Sequence, residues 1–262
     1  MGEMIYKPLI EDMTWSYSRI DSFNTCRYKW FLHYIDDPEG KNAQPMFYAS
    51  YGSFMHKIIE DYYKGKIKKE NLVTEFLLNY QDEVQGKRPM EKIAQNYINY
   101  GIEYLTNFKE FPYEMVDVEK EVHFTLNGNK FIGFIDFVGM KDGDIYIVDN
   151  KSRELKPRSK RNPPTKKDEE LDEMLKQLYL YSQAVYEIYG KYPKALCFNC
   201  FRNQVFIEEP FIMEEFEKAV KWATESIEEI KNTDDFYPNV EYFFCHNLCE
   251  YYPECVYAGG AD

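Results

Sequence analysis

Apolar positions along this chain follow two periods, and the change between them divides it. Through residue 112 they recur every three to four residues, as on one face of a helix. In 16–34 the repeat is carried by Ile20, Phe23, Tyr28, Phe31 and Leu32, with Ser18 as N-cap and a break near Asn24 and Thr25. A second helix is expected over 51–63, and two more over 71–84 and 90–108, a lid or scaffold with no evident chemistry. From 115 the pattern turns to strands: 115–126, 131–140 and 145–148, joined by tight turns at 127–129 and 141–144. The next stretch holds Pro157, Pro163 and Pro164 and reads as an irregular, mobile loop. Helical period returns over 168–190 through Leu171, Leu175, Leu178, Tyr181, Val185 and Ile188. Strands at 195–201 and 204–208, a helix at 213–231 and a cysteine-rich tail at 244–255 complete the order.

Composition narrows the class. With 262 residues, 44% hydrophobic and 18% aromatic, the chain can bury a sizeable core and is unlike a disordered one. No apolar run reaches membrane-helix length and 1–9 lacks a secretory signal, so a soluble, cytoplasmic protein is expected, in the host cytoplasm if phage-encoded. Six cysteines in such a protein suggest metal or cluster ligation more than disulfides. A net charge of −13 argues against a broad nucleic-acid footprint. The charge is uneven, however: eight basic residues crowd 151–167 against Glu154 alone. A strip of that kind can act on a phosphate backbone, with Arg158, Lys160 and Arg161 at its centre.

Candidate chemistry concentrates in the hairpin at 131–151. Asp136 lies among Ile135, Phe137 and Val138, where a lone buried carboxylate is costly. Asp149 ends the next strand, and Lys151, two residues on, shares its face. Two acids and a lysine converging there suit a hard divalent cation held against a phosphate. Elsewhere, His56 and Glu60 share one helix face. Cys197 and Cys200 sit three apart on a strand and point to opposite sides, so they read as structural.

Asp136 followed by Asp149-Asn150-Lys151 resembles the PD-(D/E)XK nuclease signature, in its RecB-like branch. Gly52-x3-His56-x3-Glu60 is similar to that branch's first motif, whose His binds metal, and Gln177-x3-Tyr181 to its Gln-x3-Tyr motif. Cys26 with Cys245-x3-Cys249-x5-Cys255 resembles the iron–sulfur staple of AddB-type and CRISPR-adaptation nucleases, departing from their usual Cys-x2-Cys by one residue. These motifs occur in the family's order across nearly the whole chain.

The resemblance implies an α/β, restriction-endonuclease-like core, a mixed central sheet flanked by helices. One nuclease domain over 1–262 is expected, with a helical part at 1–112, a core at 113–210 and a C-terminal helix and cysteine cluster at 211–262. His56, Asp136 and Asp149 are the implied ligands of Mg²⁺ or Mn²⁺, with Glu60 a second candidate and Lys151 the catalytic lysine. Gln177 and Tyr181 support that face or touch DNA. Cys26, Cys245, Cys249 and Cys255 hold a [4Fe–4S] cluster, with zinc the competitor. The implied activity is a metal-dependent DNA nuclease, an exonuclease on ends or single strands in recombination, repair or phage and CRISPR DNA processing. A non-catalytic DNA-binding subunit beside a helicase or recombination partner is the alternative.

Overall fold

The computed structural model describes residues 6–257; residues 1–5 and 258–262, the two ends of the expected domain, lie outside the described residues. After a short α1 (Lys7–Glu11), α2 (Tyr17–Thr25) begins at Ser16 rather than at Ser18. Ser16 is extended, so its hydroxyl reaches the Arg19 N–H at 3.1 Å, while Ser18 already lies in the first turn. The helical period of 16–34 breaks at Cys26, whose extended backbone ends α2 and starts α3 (Arg27–Phe31). One π-helical turn, Leu32–Asp36, follows.

The next helices are α4 (Phe47–Tyr63), α5 (Leu72–Glu83) and α6 (Glu91–Thr106). Together they enclose their own apolar core, around Met55, Ile59, Phe76 and Leu105. Gly101 of α6 lets the two partners approach, because a Cβ there would stand 2.4 Å from the buried Phe76 ring.

Strands β1 (Glu114–Leu126), β2 (Asn129–Lys141) and β3 (Asp144–Lys151) form a meander. Each connection leaves two residues between strands, Asn127-Gly128 and Asp142-Gly143, and all four have positive φ. That conformation matches the strand twist and explains Asn-Gly and Asp-Gly there. A parallel strand cannot be reached by so short a turn. The crossover is the proline-bearing stretch plus α7 (Lys166–Tyr189), which delivers β4 (Ala195–Cys200) beside β3. Finally β5 (Val205–Pro210) pairs antiparallel with β4, giving one five-stranded mixed sheet in sequence order.

Helix α7 is closed at both ends. Thr165 and Asp168 form a reciprocal capping box, and Gly190 at φ 75° ends the helix. Asp168 also accepts from the Ser159 N–H and hydroxyl, so one carboxylate organises the irregular loop before it. Those four donors hold its carboxyl well below the usual range. Helices α7 and α8 (Met213–Asn232), with α2, cover one sheet face through Ile20, Leu178, Val185 and Ile227. The opposite face packs Phe137, Tyr146 and Val148 with Phe111 and Tyr113. Cys197 belongs to this second face and Cys200 to the first, so these two thiols do face apart.

Last, α9 (Tyr242–Asn247) and the turn after it lie against Leu32, with Tyr251 buried. The Gln44 N–H donates to the Glu250 carbonyl at 2.8 Å, and Lys29 pairs with its carboxylate at 2.9 Å, tying tail to N-terminal region. No described helix is long and apolar enough to cross a membrane. Overpacking the α5–α6 contact tests this arrangement: Gly101→Ala should lower unfolding stability by about 1–3 kcal/mol in a denaturant titration, since the trapped Phe76 ring cannot step aside freely.

Candidate active site

Strand register assembles the site. Val118 pairs with Phe137 and Lys120 with Ile135, so Glu119 stands opposite Asp136. Phe137 in turn pairs with Val148, which sets Asp136 opposite Asp149. Three carboxylates therefore form one row across β1, β2 and β3, at strand spacings of about 4.8 Å. The backbone is irregular here. Glu119 has φ 50°, a region that L residues seldom adopt without a reason. On β2 the alternation slips at the same point: Phe131 and Ile135 face the α7 side, but past Asp136 it is Val138 that does.

Helix α4 brings His56 over this row, with Nδ1 3.2 Å from Asp136 Oδ2. Its approach depends on Gly52, one turn earlier, where a Cβ would meet the Ser152 hydroxyl at 3.1 Å. Lys151 enters from the other side. Its Nζ lies 2.7 Å from Asp149 Oδ2 and donates to Gln177 Oε1 at 2.8 Å. The Gln177 amide donates in turn to the Tyr181 hydroxyl at 3.3 Å. Tyr181 itself seats over Gly133, which has no room for a Cβ beneath the ring. Gln177 and Tyr181 thus form a hydrogen-bonded chain that ends on the Lys151 ammonium.

The acids titrate as a group. Burial alone would push the Asp136 carboxyl up; His56, the Asn150 N–H at 2.7 Å and Lys151 together hold it below the usual range. Burial and the neighbouring Asp136 charge raise Asp149, against the pull of Lys151 and His56. Burial, the Asp136 charge and that of Glu60 push Glu119 up to about 7, although His56 and Lys64 oppose this. The His56 ring is raised despite its burial, because Asp136 faces it. Asn150 is held from behind: its side-chain oxygen accepts from Asn199 at 2.7 Å, and Asn199 also donates to Tyr104.

Such a set fits a divalent cation. Asp149 is only 4% exposed, and its Oδ2 has the lysine as ion partner but no well-directed hydrogen bond. Ligand atoms of His56, Glu119 and Asp136 all lie within 4.8 Å of one another, and no other such group occurs among the described residues. Of this trio the sequence pointed to His56 and Asp136 and not to Glu119. It is one acid among Asp117, Glu119 and Glu121 on a strand whose register is not written in the sequence. Asp149 sits beside the compact trio, turned to Lys151. Glu60 is paired with Lys64 on its own helix and stays outside the trio.

The remaining candidates fall in two places. Arg158 is engaged by Asp172 at 2.6 Å and Glu209 at 2.8 Å, anchoring its loop, whereas Lys160 and Arg161 are exposed. Cys26, Cys245, Cys249 and Cys255 are all free thiols and line one apolar cavity with Tyr28 and Leu32. The Cys-x3-Cys spacing is absorbed by α9, whose last turn carries Cys245 and leads straight into Cys249.

Comparison with known proteins agrees with this geometry. No protein of curated function matches the chain in sequence. A crystal structure from Eubacterium rectale, of a protein provisionally described as an exonuclease, superposes at TM-score 0.54 and 12% identity. It covers 100% of this chain and 93% of that one, a likeness of fold. SSO0001, at TM-score 0.32 and 16% identity over 78% of this chain and 95% of that one, carries no further argument. The PD-(D/E)XK nuclease superfamily matches residues 14–256, spanning every element from α2 to the cysteine tail. With its restriction-endonuclease-like sheet and the Asp136, Asp149 and Lys151 site in register, this chain belongs to the PD-(D/E)XK nuclease superfamily, whose members are metal-dependent nucleases hydrolysing phosphodiester bonds.

Proposed function

We propose that this chain is a metal-dependent deoxyribonuclease acting as an exonuclease on DNA ends or single strands, with a [4Fe–4S] cluster on Cys26, Cys245, Cys249 and Cys255. The observation that carries the nuclease reading is the row Glu119, Asp136 and Asp149, with His56 over it and Lys151 beside it. When bound, a divalent cation supplies polarisation of a phosphodiester oxygen and a water of lowered pKa. His56, Glu119 and Asp136 would hold it, with Asp149 adjacent. Imidazole among hard oxygens suits Mn²⁺ at least as well as Mg²⁺.

Lys151 has the catalytic task that needs no cation. Gln177 takes one of its three donors and the Asp149 carboxylate attracts it from 2.7 Å, which together fix its direction and leave a donor for a phosphate oxygen. A preset ammonium there offsets charge that grows on the phosphate in the transition state. Exposed Lys160 and Arg161, on the loop that Asp168 and Arg158 hold, meet the backbone of the strand.

For the cysteines, the support is their convergence from two distant parts of the chain into one apolar cavity. Among the described residues, no three of these sulfurs come within 4.8 Å of one another. A tetrahedral zinc site, with bonds of about 2.3 Å, has sulfurs about 3.8 Å apart. Either group would draw the four thiolates into its own geometry on binding. A cluster there acts as a staple between α2–α3 and the tail, not as a reagent.

Three outcomes test the reading. Lys151→Ala should lower the Mn²⁺-supported rate on end-labelled single-stranded DNA by about 10²–10³-fold, the range for one charge-stabilising donor, while circular dichroism stays unchanged. Glu119→Gln should weaken Mn²⁺ binding about tenfold in calorimetry; unaltered affinity would remove Glu119 from the site. Converting Lys160 and Arg161 together to Gln should reduce the slope of log affinity against log salt by about 1.4 on single strands, at about 0.7 per phosphate contact.

The cluster has its own test. Anaerobically purified protein should be brown, and Cys26→Ala should bleach it and make both chain ends protease-sensitive together. A colourless protein with stoichiometric zinc would give the four thiols to zinc instead.

A further inference from the structure

Tyr242 and Phe243 at the start of α9 are 60% and 52% exposed, although each carries a large apolar ring. Single exposed aromatics are ordinary. Phe243 begins a connected series. Phe243 lies 6.5 Å from the Tyr48 ring of α4, Tyr48 lies 5.4 Å from Tyr97, and Tyr97 lies 6.2 Å from Tyr100 on α6. The Arg202 guanidinium covers both Tyr97 and Tyr100, at 5.4 and 5.6 Å.

Two members of the series, Tyr48 and Arg202, connect to the active site. Tyr48, Gly52 and His56 recur at four-residue intervals, so they share one face of α4, and Tyr48 sits about 12 Å along the axis from the proposed ligand. Gly52 abuts Ser152, the residue after Lys151. Arg202 follows Phe201, whose N–H donates to the Lys151 carbonyl at 3.1 Å.

We infer that Phe243, Tyr48 and Tyr100, with Arg202, form a stacking track that guides a single-stranded DNA end towards Lys151. The inference rests on the nuclease reading above and deepens it by naming the strand form that is bound. Duplex bases already stack on one another and offer no free faces, whereas every unpaired base has one. The charge balance points the same way. With only Lys160 and Arg161 assigned to the phosphate backbone in a chain of net charge −13, counterion release supplies part of the hold on DNA, and contacts that salt does not screen add to it. Rings supply such contacts, and the Arg202 guanidinium, which pairs with Glu154 at 3.4 Å, adds a further planar face at the inner end.

The experiment uses the full chain with EDTA, so that binding is read without cleavage, and a fluorescent oligothymidylate of 20 nucleotides by anisotropy. Phe243→Leu and Tyr48→Leu each remove a ring but keep an apolar side chain. Each should weaken binding about tenfold, with the salt slope unchanged and Phe243→Trp retaining wild-type affinity or better. Affinity unchanged in the double variant overturns the track. So does an equal loss on a blunt duplex of the same length, or a Phe243→Trp variant that binds as weakly as Phe243→Leu, which would mean that the patch docks something other than bases. Wild-type hydrolysis of a small chromogenic phosphodiester with Mn²⁺, too short to reach the rings, tests the nuclease reading separately. Its absence beside ring-dependent oligothymidylate binding would sink that reading and leave the track standing.

Discussion

Three like charges in one row, largely out of water, are the constraint around which the molecule is arranged. Placing Glu119, Asp136 and Asp149 on adjacent strands brings carboxylates within reach of one another where burial already disfavours charge. Each neighbour of the row answers that cost. His56 and the Asn150 N–H satisfy Asp136, Lys151 balances Asp149, and Glu119 is left holding its proton more tightly. The residual imbalance is what a divalent cation removes. Backbone strain at Glu119 is a second local cost, on a strand that also carries a register shift between Met115 and Asp117.

Rigid elements deliver each partner. Lys151 ends a strand buried between two others, and Gln177 and Tyr181 come from the middle of a helix capped at both ends. Small residues sit where large neighbours close in: Gly133 under Tyr181 and Gly52 against Ser152. Catalytic groups set on such elements lose little precision to thermal motion, which is what preset charge stabilisation needs. The helical α4–α6 unit has its own core and meets the site through His56 and Tyr104, while Phe201, just past β4, packs into that core. It works as an arm that holds His56 over the sheet.

The acidic balance of the chain is reconciled with a phosphate substrate by locality. Much of its negative charge is on the outer faces of α7 and α8, where Glu169, Glu173, Glu214 and Glu217 lie towards solvent or pair with nearby lysines. Lys160 and Arg161 stand apart from these on a loop anchored by a single buried carboxylate. Charge beyond about 8–10 Å is screened at physiological salt, so on the proposed reading the few cations near a strand would outweigh the many acids far from it.

Local rules carried much of this in the sequence itself. Asn127-Gly128 and Asp142-Gly143 dictate hairpins because only such residues accept positive φ, and the hairpins in turn fix which acids end which strands. The stripe of α7 and the alternation about Asp149 and Lys151 place the lysine and its glutamine on facing surfaces. Even the separation of Cys197 from Cys200 follows from the pleat. What the sequence left open depends on pairing between distant segments. Glu119 joins the site only because β1 meets β2 in one register and not a residue or two away, and nothing in Asp117-x-Glu119-x-Glu121 selects among its acids. Arg158 looked like its basic neighbours until the fold set Asp172 and Glu209 beside it. Ser16 displaced Ser18 as cap because backbone angle, not residue type, decides which hydroxyl reaches the amide. Cys26 stands near the tail cysteines only because α9 folds back onto α2–α3 across the whole chain, and long-range closure of that kind is decided by packing, which no local pattern records.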